Sequence, residues 1–274
     1  MATKIISDGS KKWQRHGLKD SLKIWFGWLA GLILFVICWQ TISEATTWFF
    51  VLDAPRIAED LFTRAMPPRW EYMDKLWVPL WDTFNIATIG TAVAIVFGVP
   101  MAFLTASNTT PSRYIIRPIC MIFIVASRSI NSLIWALLTV TILGPGVLAG
   151  VVAISLRSIG FFAKLMYEAI EEIDDVPVEA IRATGASPLQ VMVYAIWPQV
   201  KGIFVGVAVF RWDVNIRHST VLGLVGAGGI GLQLSSSLNV LAWPQVSLII
   251  LTIFITVIFS EVISAKIRSA ITRK

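Results

Sequence analysis

Arg128, Arg157 and Arg211 stand in stretches that are otherwise almost wholly apolar, and Asp213, Asn215 and Arg217 follow the last of them closely. A guanidinium stays charged and presents a planar fork of donors, a geometry that suits the paired oxygens of an oxyanion. Each arginine lies about ten residues from one end of its apolar run. At 1.5 Å per residue that is roughly 15 Å, the middle of a ~30 Å hydrocarbon core. Leaving such a charge against lipid costs about 2.5–3.5 kcal/mol, so all three are expected to turn inward. Asp213 is the one acid at comparable depth, and it can pair with Arg217 at i,i+4. Arg211 and Asn215 form another i,i+4 stripe, while Arg128, Asn131 and Ser132 are expected to share a face of their own span. Positive charge stays in excess after one pairing, as a path for an anion requires. A structural use stays open beside it, with arginines bonding carbonyls or packing at a dimer seam.

Other chemistries find little support. Two histidines, His16 and His218, and two cysteines in apolar runs, Cys38 and Cys120, make neither a metal site nor a disulfide framework. A membrane enzyme would need a nucleophile and base, or a metal, in its spans. A secondary transporter would usually carry repeats and acidic or histidine proton relays. Gly226-Ala-Gly228-Gly229-Ile-Gly231 matches the dinucleotide pattern, yet no acid occurs between Asp213 and Glu261 to hold a ribose. A close-packed or re-entrant glycine turn fits better. No Gly-Lys pair exists, so the chain has no phosphate-cradling loop for ATP. No cofactor and no nucleic-acid partner are expected.

The elements that must hold these residues are membrane helices. Of 274 residues 56% are hydrophobic and 15% charged, with a mean hydropathy of +0.73, which excludes both a soluble domain and disorder. Six spans are expected. The first covers 24–42, retained rather than cleaved, and the others lie near Trp81–Thr105, Pro118–Ile142, Val147–Leu165, Gly202–His218 and Val246–Ser264. Residues 43–80 are read as an extracytoplasmic segment whose Ile57, Ala58, Leu61, Phe62 and Ala65 form a short interfacial helix. The core runs over 81–265, between a cytoplasmic segment 1–23 and a tail 266–274. With six spans, one side collects fifteen Lys and Arg against four on the other, which puts both termini in the cytoplasm.

The polar stretch 166–201 is read as an arm outside the bilayer. Pro177 is expected to open a helix through Ala183, Gly185 to stop it, and Ser187 to cap the next one at Pro188. Its small face (Glu179, Ala180, Ala183, Gly185, Ala186) suits close docking into a groove on another protein.

Glu179-Ala180, Gly185 and Trp197-Pro198 resemble the EAA loop of ABC importer permeases. Pro67-Pro68-Arg69-Trp70-Glu71-Tyr72, Asp82-Thr83-Phe84-Asn85-Ile86-Ala87, Arg128-Ser129-Ile130 and Gly144-Pro145-Gly146 resemble the phosphonate transporter permeases within that group. So does the run Arg211-Trp212-Asp213-Val214-Asn215-Ile216-Arg217 through Gly231. Asn131-Ser132 departs from the family, which usually carries proline after the isoleucine. The resemblance implies an all-α, six-helix type I importer permease fold and a second copy as partner. It also implies a pair of ATP-binding subunits that hold ATP and Mg, a periplasmic substrate-binding protein and an inner-membrane location. Phosphonate, phosphite and hypophosphite are its implied substrates.

Overall fold

Lipid offers no hydrogen-bond partner to a backbone, so long apolar runs close their own bonds as helices. In the computed structural model, which describes residues 2–5, 11–14 and 18–272, five helical runs are long and apolar enough to cross a membrane. They are Asp20–Ala45, Trp77–Thr105, Val147–Glu171, Pro188–Asn239 and Trp243–Ala270, with a sixth if a pair bent by 92° counts as one. Arg15, His16, Arg273 and Lys274, which entered the charge and metal readings, lie outside the described residues.

Two compact units divide at Phe62/Thr63. The first holds an antiparallel hairpin, β1 (Ala2–Ile5) and β2 (Lys11–Gln14), which the all-helical expectation did not include. It continues with α1 (Leu18–Ala45) and most of α2 (Trp48–Ala65). α1 starts six residues before its apolar run, with Asp20 in a first turn that favours an acid. None of Asp20–Ala45 is buried within the chain, as expected of a helix whose solvent is lipid. α2 is longer than the Ile57–Ala65 periodicity implied. Trp48 opens it, and its indole Nε1 donates to Ser43 O at 3.1 Å.

The second unit carries α3 (Trp77–Thr105), α4 (Ile116–Ser129), α5 (Ser132–Leu143), α6 (Val147–Glu171) and α7 (Asp175–Ala183). After them come α8 (Pro188–Val191), α9 (Trp197–Leu222), α10 (Ile230–Asn239) and α11 (Trp243–Thr272). α6 is the hub, packed against α3, α4, α5 and α9. Phe162, Met166 and Ile170 bury its far end against Val178, Val191 and Val200.

Three expectations need correction. The span Pro118–Ile142 is not continuous. α4 ends at Ser129, Ile130 is extended, and Asn131 caps α5 by accepting from Leu133 N at 3.2 Å. An asparagine cap offers the backbone an alternative to continuing the helix, and the chain turns there. Arg128, Asn131 and Ser132 therefore share no helix face. The span Val147–Leu165 extends to Glu171, because its terminal acids are used. Glu168 pairs with Lys164, and Glu171 takes Arg117 at 3.0 Å and Ser107 N at 2.7 Å. The fifth span, expected from Gly202, begins at Trp197 and runs on from the helix that Ser187 caps at Pro188, as expected for that cap. Pro198 has no N–H to give the preceding turn, and the chain widens there into a π turn over Met192–Ile196, with Trp197 N–H on Met192 O.

Candidate functional site

Arg157, Ser158 and Phe161 occupy neighbouring positions on the hub helix, and two other helices bring their own groups to them. α4 comes close because residue 160 is glycine. A Cβ there would lie 2.7 Å from Ile124 O and 2.6 Å from Ser127 Oγ, so any larger residue would push α4 away. Arg128 follows Ser127 directly and so reaches the same place. α9 contributes Arg211, Asn215 and His218 along one stripe. The result is a ring of charge around one side chain. The guanidinium carbons of Arg211, Arg157 and Arg128 stand 4.9, 5.1 and 5.4 Å from the centroid of the Phe161 ring.

Arg211 is 4% exposed and is held by neutral oxygens only. Its Nη2 donates to Ser158 Oγ at 2.9 Å and to Asn215 Oδ1 at 3.3 Å. Ser158 donates to Asn215 Oδ1 at 3.0 Å, and Asn215 Nδ2 donates to Thr91 Oγ1 of α3 at 2.8 Å. Arg157 Nη1 donates to His218 Nε2 at 2.8 Å. Among the described residues no carboxylate pairs with any of the three arginines. The Nε groups of Arg157 and Arg211 are buried donors without an acceptor. Such a site has fork-shaped donors to spare and no anion of its own, an arrangement whose geometry would suit an oxyanion.

The other residues singled out in the sequence fall into place around it. Asp213 pairs with Arg217 and also accepts from Ser260 Oγ of α11 at 2.8 Å. Asp213 and Arg217 are therefore committed to each other, and Arg217, 44% exposed, is an ion-pair partner. Ser132 joins the site indirectly, with Oγ 3.3 Å from His218 Nδ1, while Asn131 serves as the α5 cap. Phe161, Ser158, Thr91 and His218 were not anticipated. Phe161 lies four residues after Arg157, a spacing that could have raised it.

The glycine run is a close-packed turn. Gly226, Gly228 and Gly229 have φ of 90°, 80° and 72°, where a side chain is disfavoured, and a Cβ on Gly231 would fall 1.9 Å from Thr220 O. Gly226 O accepts from Gly146 N at 3.0 Å, and Ile230 N is taken by Thr83 Oγ1 at 2.9 Å. The turn joins α3, the α5–α6 connection and α9, and its Ile230 N–H is already committed.

Residues 94–271 match the family described as binding-protein-dependent transport system inner membrane component. The chain belongs to that family. All three arginines and the glycine turn lie inside the matched region. The permease is 40% identical over 238 residues to the phosphite transport system permease protein PtxC of Stutzerimonas stutzeri, covering 86% of this chain and 85% of that one. It is 38% identical over 208 residues to the phosphate-import permease protein PhnE of Mycolicibacterium smegmatis, covering 76% of this chain but 39% of that longer one. In fold it is similar to the MetNI methionine ABC transporter in an inward facing conformation, with a TM-score of 0.65 at 21% identity, over 74% of this chain and 99% of that one.

The permease also carries the exposed arm. α7 starts at Asp175, two residues before Pro177, because Asp174 caps it by accepting from Val176 N at 3.0 Å. Gly185 has φ of 79° with open space around it, and ends the helix. Ser187 and Gln190 then form a reciprocal capping box. Val178 anchors the arm in the core, and Gln199 clasps Asp174 through N at 3.0 Å and O at 3.2 Å. Glu179, Ala180, Ala183 and Gly185 are exposed and Ala186 is half-buried.

Proposed function

We propose that this chain is the membrane-spanning subunit of an ATP-driven importer that carries phosphite, phosphonate or hypophosphite into a bacterial cell by alternating access. One observation carries the reading. Three guanidiniums converge on Phe161 with two buried Nε donors unsatisfied and no carboxylate among them. An oxyanion crossing the bilayer middle would receive those donors and lose little on leaving water. The relatives' names, which include phosphite transport, support the substrate class.

On this reading two copies of the permease meet two ATP-binding subunits, which hold ATP and Mg, and a periplasmic substrate-binding protein. The chain itself binds no cofactor and performs no catalysis. Glu179, Ala180, Ala183, Gly185 and Ala186 dock on the ATP-binding subunit and pass its closure to α6 and α9. The glycine turn at 226–231 lies at the periplasmic side as part of the gate. The fifteen-to-four count of basic residues supports cytoplasmic termini in the inner membrane. A cysteine at Ser269 should then resist a membrane-impermeant thiol reagent in intact cells, and labelling there would refute the topology.

The substrate reading is tested by uptake. Cells lacking other routes for phosphorus oxyanions, and expressing this permease with its ATP-binding and binding-protein partners, should take up labelled phosphite, competed by unlabelled phosphonate or hypophosphite. Absence of uptake of all three, with the assembled complex present in the membrane, would overturn the assignment.

A further inference from the structure

His218 touches no substrate in the reading above, yet it links the arginine ring to the broken span. We propose that His218, held neutral with its proton on Nδ1, is a positioning residue that aims Arg157 and ties it to the α4–α5 break. Donor and acceptor inventories alone lead there. A guanidinium has donors and no acceptor, so Arg157 Nη1, at 2.8 Å, requires His218 Nε2 to be bare. On the other side of the ring, Nδ1 stands 3.3 Å from Ser132 Oγ. That hydroxyl lies 3.3 Å from Asn131 Oδ1, which is fixed as an acceptor because it also caps Leu133 N at 3.2 Å. The hydroxyl has one hydrogen and gives it to Asn131, so toward His218 it accepts. Nδ1 must therefore carry the proton, and both sides of the ring agree on one tautomer.

Every bond in this chain points the same way, from Arg157 through His218 and Ser132 to Asn131. Its members sit on α6, α9, α5 and the break that precedes α5. An imidazolium would set an N–H against the guanidinium and replace a bond by a repulsion. Arg157 Nε already lacks an acceptor, so without His218 the remaining polar contact of Arg157 among the described residues is the face of Phe161. The guanidinium would then be free to swing. A shift of the α5 cap moves Ser132, hence the imidazole, hence the direction of Arg157.

The transport arm of the test rests on the oxyanion-importer reading, and the spectroscopic arm does not. His218→Leu should raise the KM for phosphite uptake by about tenfold with a smaller change in maximal rate, since aim in the ground state is lost. His218→Gln can accept from Arg157 with Oε1 and donate to Ser132 with Nε2, and should return the KM to within about threefold of wild type. Equal KM values for the Leu and Gln variants at matched abundance would overturn the proposal. Nitrogen NMR of the histidine-labelled full chain in lipid nanodiscs, with His16→Gln leaving one histidine, should show Nδ1 protonated and Nε2 bare. The opposite tautomer, or an imidazolium at neutral pH, would overturn it as well. Failure of wild-type uptake with the expected NMR pattern would count against the substrate reading and leave the tautomer standing.

Discussion

Around Phe161 the guanidiniums are gripped by the permease's own helices, whereas around Gly185 the side chains of Val176 and Leu189 stand 71% and 69% exposed. The two regions also differ in what each leaves undone. The arginine ring buries two N–H donors for which the protein offers no acceptor, while the arm has capped helix ends and an apolar face without cover. On the proposed reading, the unfinished hydrogen bonding of the ring is where something small and polar passes. A finished backbone with an unfinished apolar surface marks where something large docks. On the proposed reading, one region meets the anion and the other the ATP-binding subunit.

The contrast can be broken from either side, and the largest effect comes from the frame shared by both. Gly231→Ala puts a methyl group 1.9 Å from Thr220 O, backbone against side chain with nothing to yield. That variant should fail to accumulate in the membrane, measured by immunoblot of membrane fractions. Gly185→Val is different in kind. Its Cβ meets open space, but φ of 79° is disfavoured for a branched residue. The protein should insert normally while uptake and substrate-stimulated ATP hydrolysis of the reconstituted complex both fall by more than about tenfold. Retained stimulation would detach the arm from coupling. Phe161→Leu keeps the apolar volume and removes the aromatic face from three guanidiniums. Each such contact contributes about 0.5–2 kcal/mol, so uptake should drop roughly fivefold with abundance unchanged. The smallest effect belongs to Ser260→Ala, which removes one of the groups on Asp213 and leaves Arg217 in place. It should lower thermal stability by about 1 kcal/mol or less and leave uptake alone.

The arginines were legible in the sequence because depth in an apolar run carries a cost that must be met somewhere. The arm was legible because Gly185, Ser187 and Pro188 are punctuation with fixed backbone preferences. Their partners were not. Phe161 reads as one more apolar residue of α6, and Ser158 and Thr91 as hydroxyls that could equally bond their own helix, as Thr91 does to Ala87 O at 2.6 Å. Only the approach of α4 at Gly160 and of α9 gives them a role. The break at Ile130 escaped notice because no glycine or proline marks it. The sole local signal is Asn131 ahead of an apolar run, which is a helix start as well as a mid-span polar residue.

Uptake by two variants of Arg211 bears most directly on the arginine ring as the crossing point for an oxyanion. Arg211→Lys keeps the charge but loses the fork, and Arg211→Met loses both. With phosphite as substrate and matched membrane abundance, the lysine variant should retain partial uptake and the methionine variant should lose at least about tenfold, while the binding protein holds its ligand unchanged. Wild-type uptake by Arg211→Met would show that the buried guanidinium only braces Ser158 and Asn215, and that the anion crosses elsewhere.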